Sequence, residues 1–323
     1  MIIIFSEAFD MSTDEVCDWL AYYGEPFVRI NGNDFSDESF SYSLVYENGK
    51  PEVYFNMKGK TIHHTDISYV WFRRDEMVSE PKSFRNITDR KLRNKVSEHA
   101  LRELTRTKDY FYATMLHLPH LGNHLKKEVN KFTALFCAAK NGLKIPETIL
   151  SNDQAQQQAF LDSHASIIKS IKDTDFFTTG TDVTFISYTA TVDKDEVGKN
   201  VFPNLIQQKI DKEVEIRIFF AKGKCYPMAI FSQLDSKTSV DFRRYNYKKP
   251  NRYVPYKLPL HIETALIKTM QELDLDTGSI DLIKATDGSF YFLEVNPVGQ
   301  FGMTSKPCNY YIEKDIAQLL TLK

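Results

Sequence analysis

The sequence predicts a mixed α/β protein with two or three packed units, and three observations support this fold class. The chain opens with apolar strand patterns at residues 2–5 and 27–30, on either side of an amphipathic helix pattern. Strand and helix patterns continue to alternate up to a long apolar hairpin at residues 279–297. With 323 residues, the chain is too long for one compact core.

Composition excludes several classes of function. The net charge is -2 with 26% charged residues, which argues against a general nucleic-acid or membrane binder. The four cysteines are far apart and form no CxxC pair, so they indicate neither a disulfide framework nor a zinc site. The first residues lack the basic region and the long apolar run of a signal peptide. We therefore expect a protein of the reducing cytoplasm with no membrane partner.

The N-terminal part, roughly residues 1–80, predicts an α/β domain. A capping-box pattern at residues 12–15 should open its first helix, which should end near Gly24. The pair Asn48-Gly49 predicts a tight hairpin turn between two further strands.

Two arginines, Arg73 and Arg74, stand at the end of the last predicted strand of this domain, residues 67–73. Functional residues of open α/β sheets collect at strand ends of this kind. Charged residues also mark strand ends without any function, so the pattern alone leaves both interpretations open.

A basic helix is predicted after this domain at residues 86–107, followed by a second helix at residues 110–118. Its polar face carries many arginines and lysines and could contact nucleic acid. Acidic residues are interspersed on the same face, and most faces of this kind are only solvated. We therefore expect no nucleic-acid partner.

The middle of the chain has two features that bear on function. A helix pattern points Phe132, Leu135, Phe136 and Ala139 inward. A β-branched strand is predicted at residues 165–171, with Lys169 inside it. A lysine in so apolar a run either extends its ammonium group to water or meets an anion.

Alternation sorts the side chains of the strand predicted at residues 214–220. One of its faces is apolar, and the other carries Glu215 and Arg217 and need not be a solvent face. Residues 233–256 then form a long, basic and aromatic segment, and loops of that length in compact domains are often functional.

The hairpin near the end of the chain places two carboxylates opposite each other. The pair Asp287-Gly288 predicts a two-residue turn in which both residues have positive φ. With that turn, Asp281 lies directly opposite Glu294, about 5 Å away, and Asn296 projects from the same face. Both strands are otherwise apolar, so the repulsion between the carboxylates requires a cation between them. Two carboxylates and one amide suit Mg²⁺, although charged residues at a strand end can also simply reach solvent.

With these segments in view, the chain resembles the ATP-grasp ligases and, within that superfamily, the graspetide or microviridin-type peptide macrocyclases. The resemblance extends over essentially the whole length and is carried by Asp281 and by residues 71–74, 130–131, 142–148, 207–217 and 292–300. It implies an ATP-grasp fold with ATP between the last two of three domains, which would span residues 1–120, 121–205 and 206–323.

The resemblance also implies roles for individual residues. The metal ligands would be Asp281, Glu294 and Asn296. The residues around the nucleotide would be the phosphate-binding Lys131 and Lys169, the adenine hinge Gln208, Lys209 and Ile210, the ribose-binding Glu213 and the γ-phosphate-binding Arg217. The substrate would be held by Arg73, Arg74, Asp241 and Arg243. The catalytic residues would be Lys169, Arg217 and Arg243.

The activity that the resemblance implies is ATP-dependent ring closure in a ribosomally made precursor peptide. An Asp or Glu side chain would attack the γ-phosphorus of ATP, and a Thr or Ser hydroxyl or a Lys amine would capture the acyl phosphate. The implied cofactors are ATP and Mg²⁺, with two metal ions expected. The implied partner is the precursor peptide, and a homodimer is expected because relatives are often dimers.

Two other functions stay open at this point. An ATP-grasp ligase could instead add free amino acids to a protein or small-molecule carboxylate. A non-catalytic nucleotide- or RNA-binding protein would account for the basic helix and the Arg243-Arg244-Tyr245 segment. Such a protein would not need the metal ligands, both lysines and Arg217 together.

Overall fold

Helices and strands alternate along the chain and confirm the predicted mixed α/β fold. The computed structural model describes residues 1–57, 59–74, 77–172, 176–178, 184–186, 189–193, 202–233, 240–242, 246 and 248–322, with the backbone alone at 176–178 and 184–186. The helices of these residues are α1 (Met11–Tyr22), α2 (Arg90–Met115), α3 (Lys131–Lys140), α4 (Gln154–Ser163), α5 (Leu260–Glu272), α6 (Gly302–Cys308) and α7 (Ile312–Thr321).

The strands belong to five sheets in the described part of the chain. Those of the first half are β1 (Ile2–Ser6), β2 (Phe27–Asn31), β3 (Phe40–Glu47), β4 (Lys50–Met57), β5 (Lys60–His63), β6 (Tyr69–Phe72), β7 (His120–Leu121), β8 (Thr148–Ser151) and β9 (Ser166–Lys169). Those of the second half are β10 (Phe176–Thr178), β11 (Thr184–Ile186), β12 (Ala190–Val192), β13 (Asn204–Gln208), β14 (Lys212–Ala221), β15 (Lys224–Phe231), β16 (Arg252–Pro255), β17 (Thr277–Ala285) and β18 (Phe290–Asn296).

A parallel sheet of order β2-β1-β6-β7 opens the chain. One of its faces packs against α1 and α7, through residues such as Ile4, Leu20 and Leu320. The other face packs against α2 and an antiparallel sheet of order β3-β4-β5. All five residues of β1 are buried, and its first four form an uninterrupted apolar run, as expected of a strand covered on both faces.

Two antiparallel sheets form the rest of the framework around the site. The central sheet has the order β12-β9-β13-β8, and the C-terminal sheet has the order β16-β15-β14-β17-β18. α3 and α5 cover the back of the C-terminal sheet, where they contact Val214, Ile216 and Ile218 of β14. The opposite face of β14, which carries Glu215 and Arg217, therefore remains available for a site.

The hairpin of β3 and β4 confirms the turn predicted at Asn48-Gly49, since these residues have φ of 50° and 75°. The next strand, β5, pairs with β4 and was not predicted. Its four residues contain a single aliphatic side chain, Ile62, which faces the core, so the sequence offers little alternation to detect.

Two of the helix predictions are wrong. Residues 86–107 and 110–118 do not form two helices, because α2 continues unbroken to Met115 and buries Phe111, Tyr112 and Met115 near its end. α3 buries Leu135 as predicted, but it also buries Ala134 and Ala138 and leaves Phe132, Phe136 and Ala139 exposed. Because Ala134 and Ala138 are small, α3 can lie close to the sheet. The prediction instead took the larger phenylalanines as the buried residues.

The start of α1 also differs from its prediction. The helix begins at Met11 after Asp10, so the capping box predicted at residues 12–15 is wrong. The Thr13 hydroxyl donates to Asp10 Oδ2 at 2.7 Å, and the Ser12 hydroxyl donates to Gln300 Oε1 at 2.8 Å. The side chain expected to cap the helix therefore binds a residue near the other end of the chain.

The division into three domains stays a prediction, and two contacts cross its proposed boundaries. β13 spans the boundary between residues 205 and 206 and pairs with β8 and β9 of the central sheet. α7 packs beside α1 on the N-terminal sheet. Among the described helices, none is long and apolar enough to cross a membrane.

Candidate active site

The C-terminal hairpin pairs Asp281 with Glu294 and Ser279 with Asn296. This is the pairing that the sequence predicts. Asp281, Glu294 and Asn296 all line the same cavity. The two carboxylates and the amide therefore share one face of the sheet.

The turn of this hairpin differs from its prediction. Among its described residues only Gly288 has a positive φ, at +84°, so Asp287-Gly288 is not the predicted two-residue turn. The Ala285 N–H donates to the Ser289 carbonyl at 2.8 Å, which closes a longer loop. On the strand side, Leu282 pairs with Phe292, and the register shifts before Asp281 meets Glu294. This bulge offsets the longer loop and restores the predicted carboxylate pair.

A row of three charged residues crosses the C-terminal sheet. Arg217 of β14 lies opposite Asp281 of β17, which lies opposite Glu294 of β18. Arg217 Nη1 donates to both oxygens of Asp281, at 3.0 and 3.1 Å. All three side chains are largely buried, so the arginine offsets a charge that the apolar strands would not tolerate alone.

A cavity of about 320 Å³ lies in front of this row. The residues that line it and to which the resemblance assigns a role are Lys131, Lys169, Gln208, Ile210, Arg217, Asp241, Asp281, Glu294 and Asn296. These residues come from both sheets, from α3 and from the segment after β15. The chain therefore brings together most of the site that the resemblance implies, from positions up to 165 residues apart.

Two lysines reach this cavity from outside the C-terminal sheet. Lys131 is the first residue of α3, and its Nζ lies 3.6 Å from Glu294 Oε2 and donates to the Ser170 carbonyl at 3.2 Å. Lys169 ends β9 and lines the same cavity. Of the two interpretations of Lys169 left open by the sequence, its position beside the cavity favours an anion partner.

One cluster in the cavity wall was not predicted. Lys212 Nζ donates to Glu215 Oε1 at 2.7 Å, and the Ser232 hydroxyl donates to the same oxygen at 2.6 Å. Burial raises the pKa of Glu215, and Lys212 and Ser232 only partly counter this effect. The alternation of β14 had already placed Glu215 beside Arg217, but no local pattern identifies Lys212 as its partner.

Glu213 does not line the cavity, in contrast to its predicted ribose-binding role. The register of β14 against β17 shifts between Lys212 and Val214, so Glu213 is the extra residue of a bulge. Lys212 takes the cavity side instead. Glu213 is half-exposed and pairs with Lys284 at 2.7 Å, a contact that raises the pKa of Lys284.

The predicted adenine hinge is divided. Gln208 and Ile210 line the cavity, but Lys209 lines a separate surface depression. The backbone N–H groups of Gln208 and Lys209 donate to the carbonyls of Glu147 and Ala165, at 2.8 and 2.7 Å. These two N–H groups are therefore occupied by the protein itself.

Arg73 lies outside the cavity, and its burial does not fit a direct substrate contact. Its Nε lies 3.1 Å from the buried carboxylate of Asp10, and its Nη1 donates to the Val298 carbonyl at 2.8 Å. Burial lowers the pKa of Arg73 to about 10, against the opposing effect of Asp10. Arg73 therefore ties the N-terminal sheet to the loop that follows β18. Arg74 is paired with Glu7 and also does not line the cavity.

The substrate residues predicted after β15 are only partly described. Asp241 lines the cavity, is buried, and accepts a hydrogen bond from the Thr189 N–H at 3.1 Å. This bond links the segment to the start of β12. Arg243 lies outside the described residues.

The donor set fits a magnesium ion. Asp281 and Glu294 supply hard oxygen ligands from neighbouring strands of one cavity wall. Asn296 Oδ1 accepts from the Val298 N–H at 3.0 Å and keeps a second lone pair for a cation. The residues that would hold a metal ion therefore lie next to Lys131, Lys169 and Arg217, which would hold a phosphate chain.

Comparison with known families identifies the chain. Residues 1–128 match the MvdD pre-ATP grasp domain, and residues 128–320 match the RimK-like ATP-grasp domain. The chain belongs to the RimK-like ATP-grasp family. The match confirms the predicted ATP-grasp fold and the predicted class of ATP-dependent ligase. No curated protein sequence matches this ATP-grasp ligase.

Solved structures of similar fold extend over the whole ATP-grasp chain. A RiPP-associated ATP-grasp ligase of Chryseobacterium gregarium, in complex with ADP and a leader and core peptide, has a TM-score of 0.87 and 24% identity, covering 99% of this chain and 96% of that one. Macrocyclase MdnC of Microcystis aeruginosa MRC, bound with precursor peptide MdnA, has a TM-score of 0.81 and 23% identity, covering 99% and 98%. Macrocyclase MdnB of the same organism has a TM-score of 0.77 and 21% identity, covering 100% and 99%.

Proposed function

We propose that this ATP-grasp ligase closes ester or amide rings in a ribosomally made precursor peptide. The observation that carries the proposal is the row of Arg217, Asp281 and Glu294 in one cavity wall, with Lys131 and Lys169 lining the same cavity. Carboxylates that can hold a metal and cations that can hold phosphates meet in one space. Phosphoryl transfer to a carboxylate requires this combination of positioning and charge neutralisation.

The nucleotide would occupy the cavity with its base against apolar side chains. Ile210, Ile283 and Leu293 belong to one apolar cluster and line the cavity together with Ile167. These flat, uncharged surfaces suit an adenine ring. Because the N–H groups of Gln208 and Lys209 already have partners, we expect other backbone groups of the hinge to bind the base.

The phosphate chain would lie between the two lysines and the charged row. Lys131 and Lys169 would bind phosphate oxygens, and Arg217 would hold the phosphoryl group during transfer. Mg²⁺ bound by Asp281, Glu294 and Asn296 would neutralise charge on the phosphoryl oxygens, and we expect two ions. The protein side chains thereby align the γ-phosphorus with the attacking carboxylate.

Two steps would then join the peptide side chains. A carboxylate oxygen of an Asp or Glu side chain attacks the γ-phosphorus, which gives an acyl phosphate and releases ADP. A Thr or Ser hydroxyl, or a Lys amine, next attacks the acyl carbon and loses a proton. The carbon–oxygen bond to phosphate breaks, so an ester or amide and inorganic phosphate are formed.

A peptide substrate is supported by the ligands of the similar structures. The Chryseobacterium gregarium ligase was solved with a leader and core peptide, and MdnC with a precursor peptide. PsnB, a further ATP-grasp ligase with a TM-score of 0.76, was solved with a precursor variant, Mg and ADP. Asp241 lies in the cavity wall, and we propose that Arg243, two residues further on, binds the substrate carboxylate.

Mass spectrometry of the precursor peptide tests the proposal. After incubation with the protein, ATP and Mg²⁺, the peptide should lose the mass of one water for each bond formed, and Glu294→Gln should abolish the change. A gain equal to an amino-acid residue would support a ligase for free amino acids instead. An unchanged peptide mass with the genuine precursor would refute the proposal.

A further inference from the structure

We propose that Glu52, His63 and His64 form a binding site for one transition-metal ion, with Zn²⁺ the ion that best suits the three side chains. Glu52 lies on β4, His63 ends β5, and His64 follows it in a short 3-10 turn. The group therefore belongs to the three-stranded sheet of the N-terminal half. None of the three residues lines the active-site cavity, so the proposal is independent of the ligase function.

The spacing of the three side chains is close to that of a metal site. Their ligand atoms all lie within 4.8 Å of one another. Glu52 Oε2 is 2.7 Å from His63 Nε2 and 3.4 Å from His64 Nδ1. Ligands of a tetrahedral Zn²⁺ at bond lengths of about 2.0–2.2 Å are themselves roughly 3.3 Å apart. The two Glu52 distances differ from that spacing by roughly 0.6 Å or less, and the two histidine nitrogens, at most 4.8 Å apart, would approach each other by up to about 1.5 Å through side-chain rotation to admit the ion.

One contact indicates that a cation would improve this arrangement. His64 Nδ1 accepts a hydrogen bond from the Val53 N–H at 3.4 Å, so in this geometry that nitrogen carries a lone pair and no proton. The carboxylate of Glu52 also presents lone pairs to the same nitrogen. Two acceptors therefore face each other, and an ion between them would replace repulsion by two bonds. The bond to Val53 is long, so little is lost if the metal displaces it.

The surroundings of His63 fix its ring before any ion arrives. His63 Nδ1 contacts the Thr65 hydroxyl at 2.6 Å, which turns Nε2 towards Glu52. The backbone N–H of His63 donates to Asp66 Oδ2 at 3.1 Å. The Tyr54 ring lies 4.4 Å from the His63 ring, on the paired strand. A partner that orients the second nitrogen of a ligating imidazole is a regular feature of metal sites.

The donor set decides the class of ion. Two imidazoles and one carboxylate are a common catalytic-type ligand set for Zn²⁺, which leaves a fourth position for water or a further ligand. Mg²⁺ and Ca²⁺ prefer oxygen ligands and would bind these imidazoles poorly. Between 17% and 25% of each side chain is exposed, so an ion can enter from solvent.

Calorimetric titration of the metal-free, full-length protein with Zn²⁺ tests the proposal. Excess Mg²⁺ in all solutions keeps the oxygen-ligand site of the active cavity filled. We expect one Zn²⁺ per chain, with affinity weakened roughly tenfold or more in Glu52→Gln and in His63→Ala. His99→Ala, at an exposed position of α2, is the matched control and should bind as the wild type does.

Thermal unfolding gives a second readout and covers the case in which His63→Ala does not fold. At a Zn²⁺ concentration near the dissociation constant of the wild type, Zn²⁺ should raise the melting temperature of the wild type and of His99→Ala over the value with a chelator, and it should have little effect on Glu52→Gln, whose side chain keeps its shape. Equal Zn²⁺ binding and equal stabilisation in wild type and Glu52→Gln would overturn the proposal. So would the absence of Zn²⁺ binding by the wild type.

Discussion

Arg217 and Asp281 lie opposite each other on β14 and β17, and a single guanidinium nitrogen of Arg217 contacts both carboxylate oxygens, at 3.0 and 3.1 Å. Glu294 is the next residue of the same row. The contact holds Arg217, which could bind a phosphate group, beside Asp281, which could bind a metal ion. This relationship is the structural basis of the proposed phosphoryl transfer, and the first prediction tests it.

Arg217→Lys should lower the rate of ADP formation with peptide by about a hundredfold or more. A lysine keeps the charge but cannot make several directed hydrogen bonds from one planar group, and lost transition-state contacts of this kind have effects on that order. Steady-state kinetics with ADP detection measures the effect. Arg252→Lys, at an exposed arginine of β16, is the control and should keep the wild-type rate. A wild-type rate in Arg217→Lys would contradict the assigned role.

Lys131→Ala should weaken ADP binding by on the order of tenfold, equivalent to about 1.4 kcal/mol. The lysine lines the cavity at the start of α3 and would lose a charge-assisted bond to phosphate. Calorimetric titration with ADP and Mg²⁺ measures the change. Lys140→Ala lies on the same helix, is exposed and pairs with Glu272, so its ADP affinity should stay unchanged. Equal affinities in the two variants would rule out a phosphate contact for Lys131.

Arg73→Ala should lower the free energy of unfolding by about 3–5 kcal/mol, because it removes the nearer and more deeply buried cation from the buried carboxylate of Asp10 and leaves only the more distant Arg74. Chemical denaturation measures this loss. Arg74→Ala, which removes a partly exposed partner of Glu7 that lies 3.8 Å from Asp10, should cost much less. If Arg73 instead contacted the substrate, Arg73→Ala would keep the wild-type free energy of unfolding and would bind the peptide weakly.

Acid should destabilise the wild type through Asp10. Burial alone would raise the pKa of this carboxyl, but Arg73, Thr13, Arg74 and Gln300 together lower it below its ordinary value of 3.8. Below pH 3.8 the unfolded chain therefore binds a proton more readily than the folded protein, and stability falls as the pH falls through the lowered pKa.

Denaturation curves measured between pH 5 and pH 3 check this effect. The free energy of unfolding should fall less steeply with acid in Asp10→Asn than in the wild type, whatever its value at neutral pH. Asp274→Asn, at an exposed position, serves as the control and should keep the wild-type slope. Parallel curves for wild type and Asp10→Asn would show that Asp10 does not contribute.

The sequence predicted the pairing of Asp281 with Glu294, but through a turn that is wrong. The observed loop is one residue longer than a two-residue turn at Asp287-Gly288 and shifts the register by one residue, and the bulge near Leu293 shifts it back. Both arrangements therefore pair Asp281 with Glu294. Apolar alternation determines which residues share a face, and it does not reveal where a bulge interrupts the ladder. The same limit explains Glu213, which a bulge removes from the cavity side of β14.

Contacts between distant segments were the least predictable part of the site. The position of Arg73 at a strand end was predicted correctly. Its contacts with Asp10 and the Val298 carbonyl depend on how the N-terminal sheet packs against the C-terminal loop. Lys212 and Ser232 likewise meet at Glu215 only through the fold. Strand and turn patterns are local and can be recognised in the sequence, whereas contacts between distant side chains depend on how whole sheets pack.

The most direct test of the central claim follows one oxygen atom. A precursor peptide whose Asp and Glu carboxylates carry the heavy isotope of oxygen is incubated with the protein, ATP and Mg²⁺, and the released inorganic phosphate is examined by mass spectrometry. Because the carboxylate oxygen that attacks the γ-phosphorus leaves with phosphate, each bond formed should transfer one heavy oxygen to phosphate. Ring closure accompanied by unlabelled phosphate would contradict carboxylate activation through an acyl phosphate.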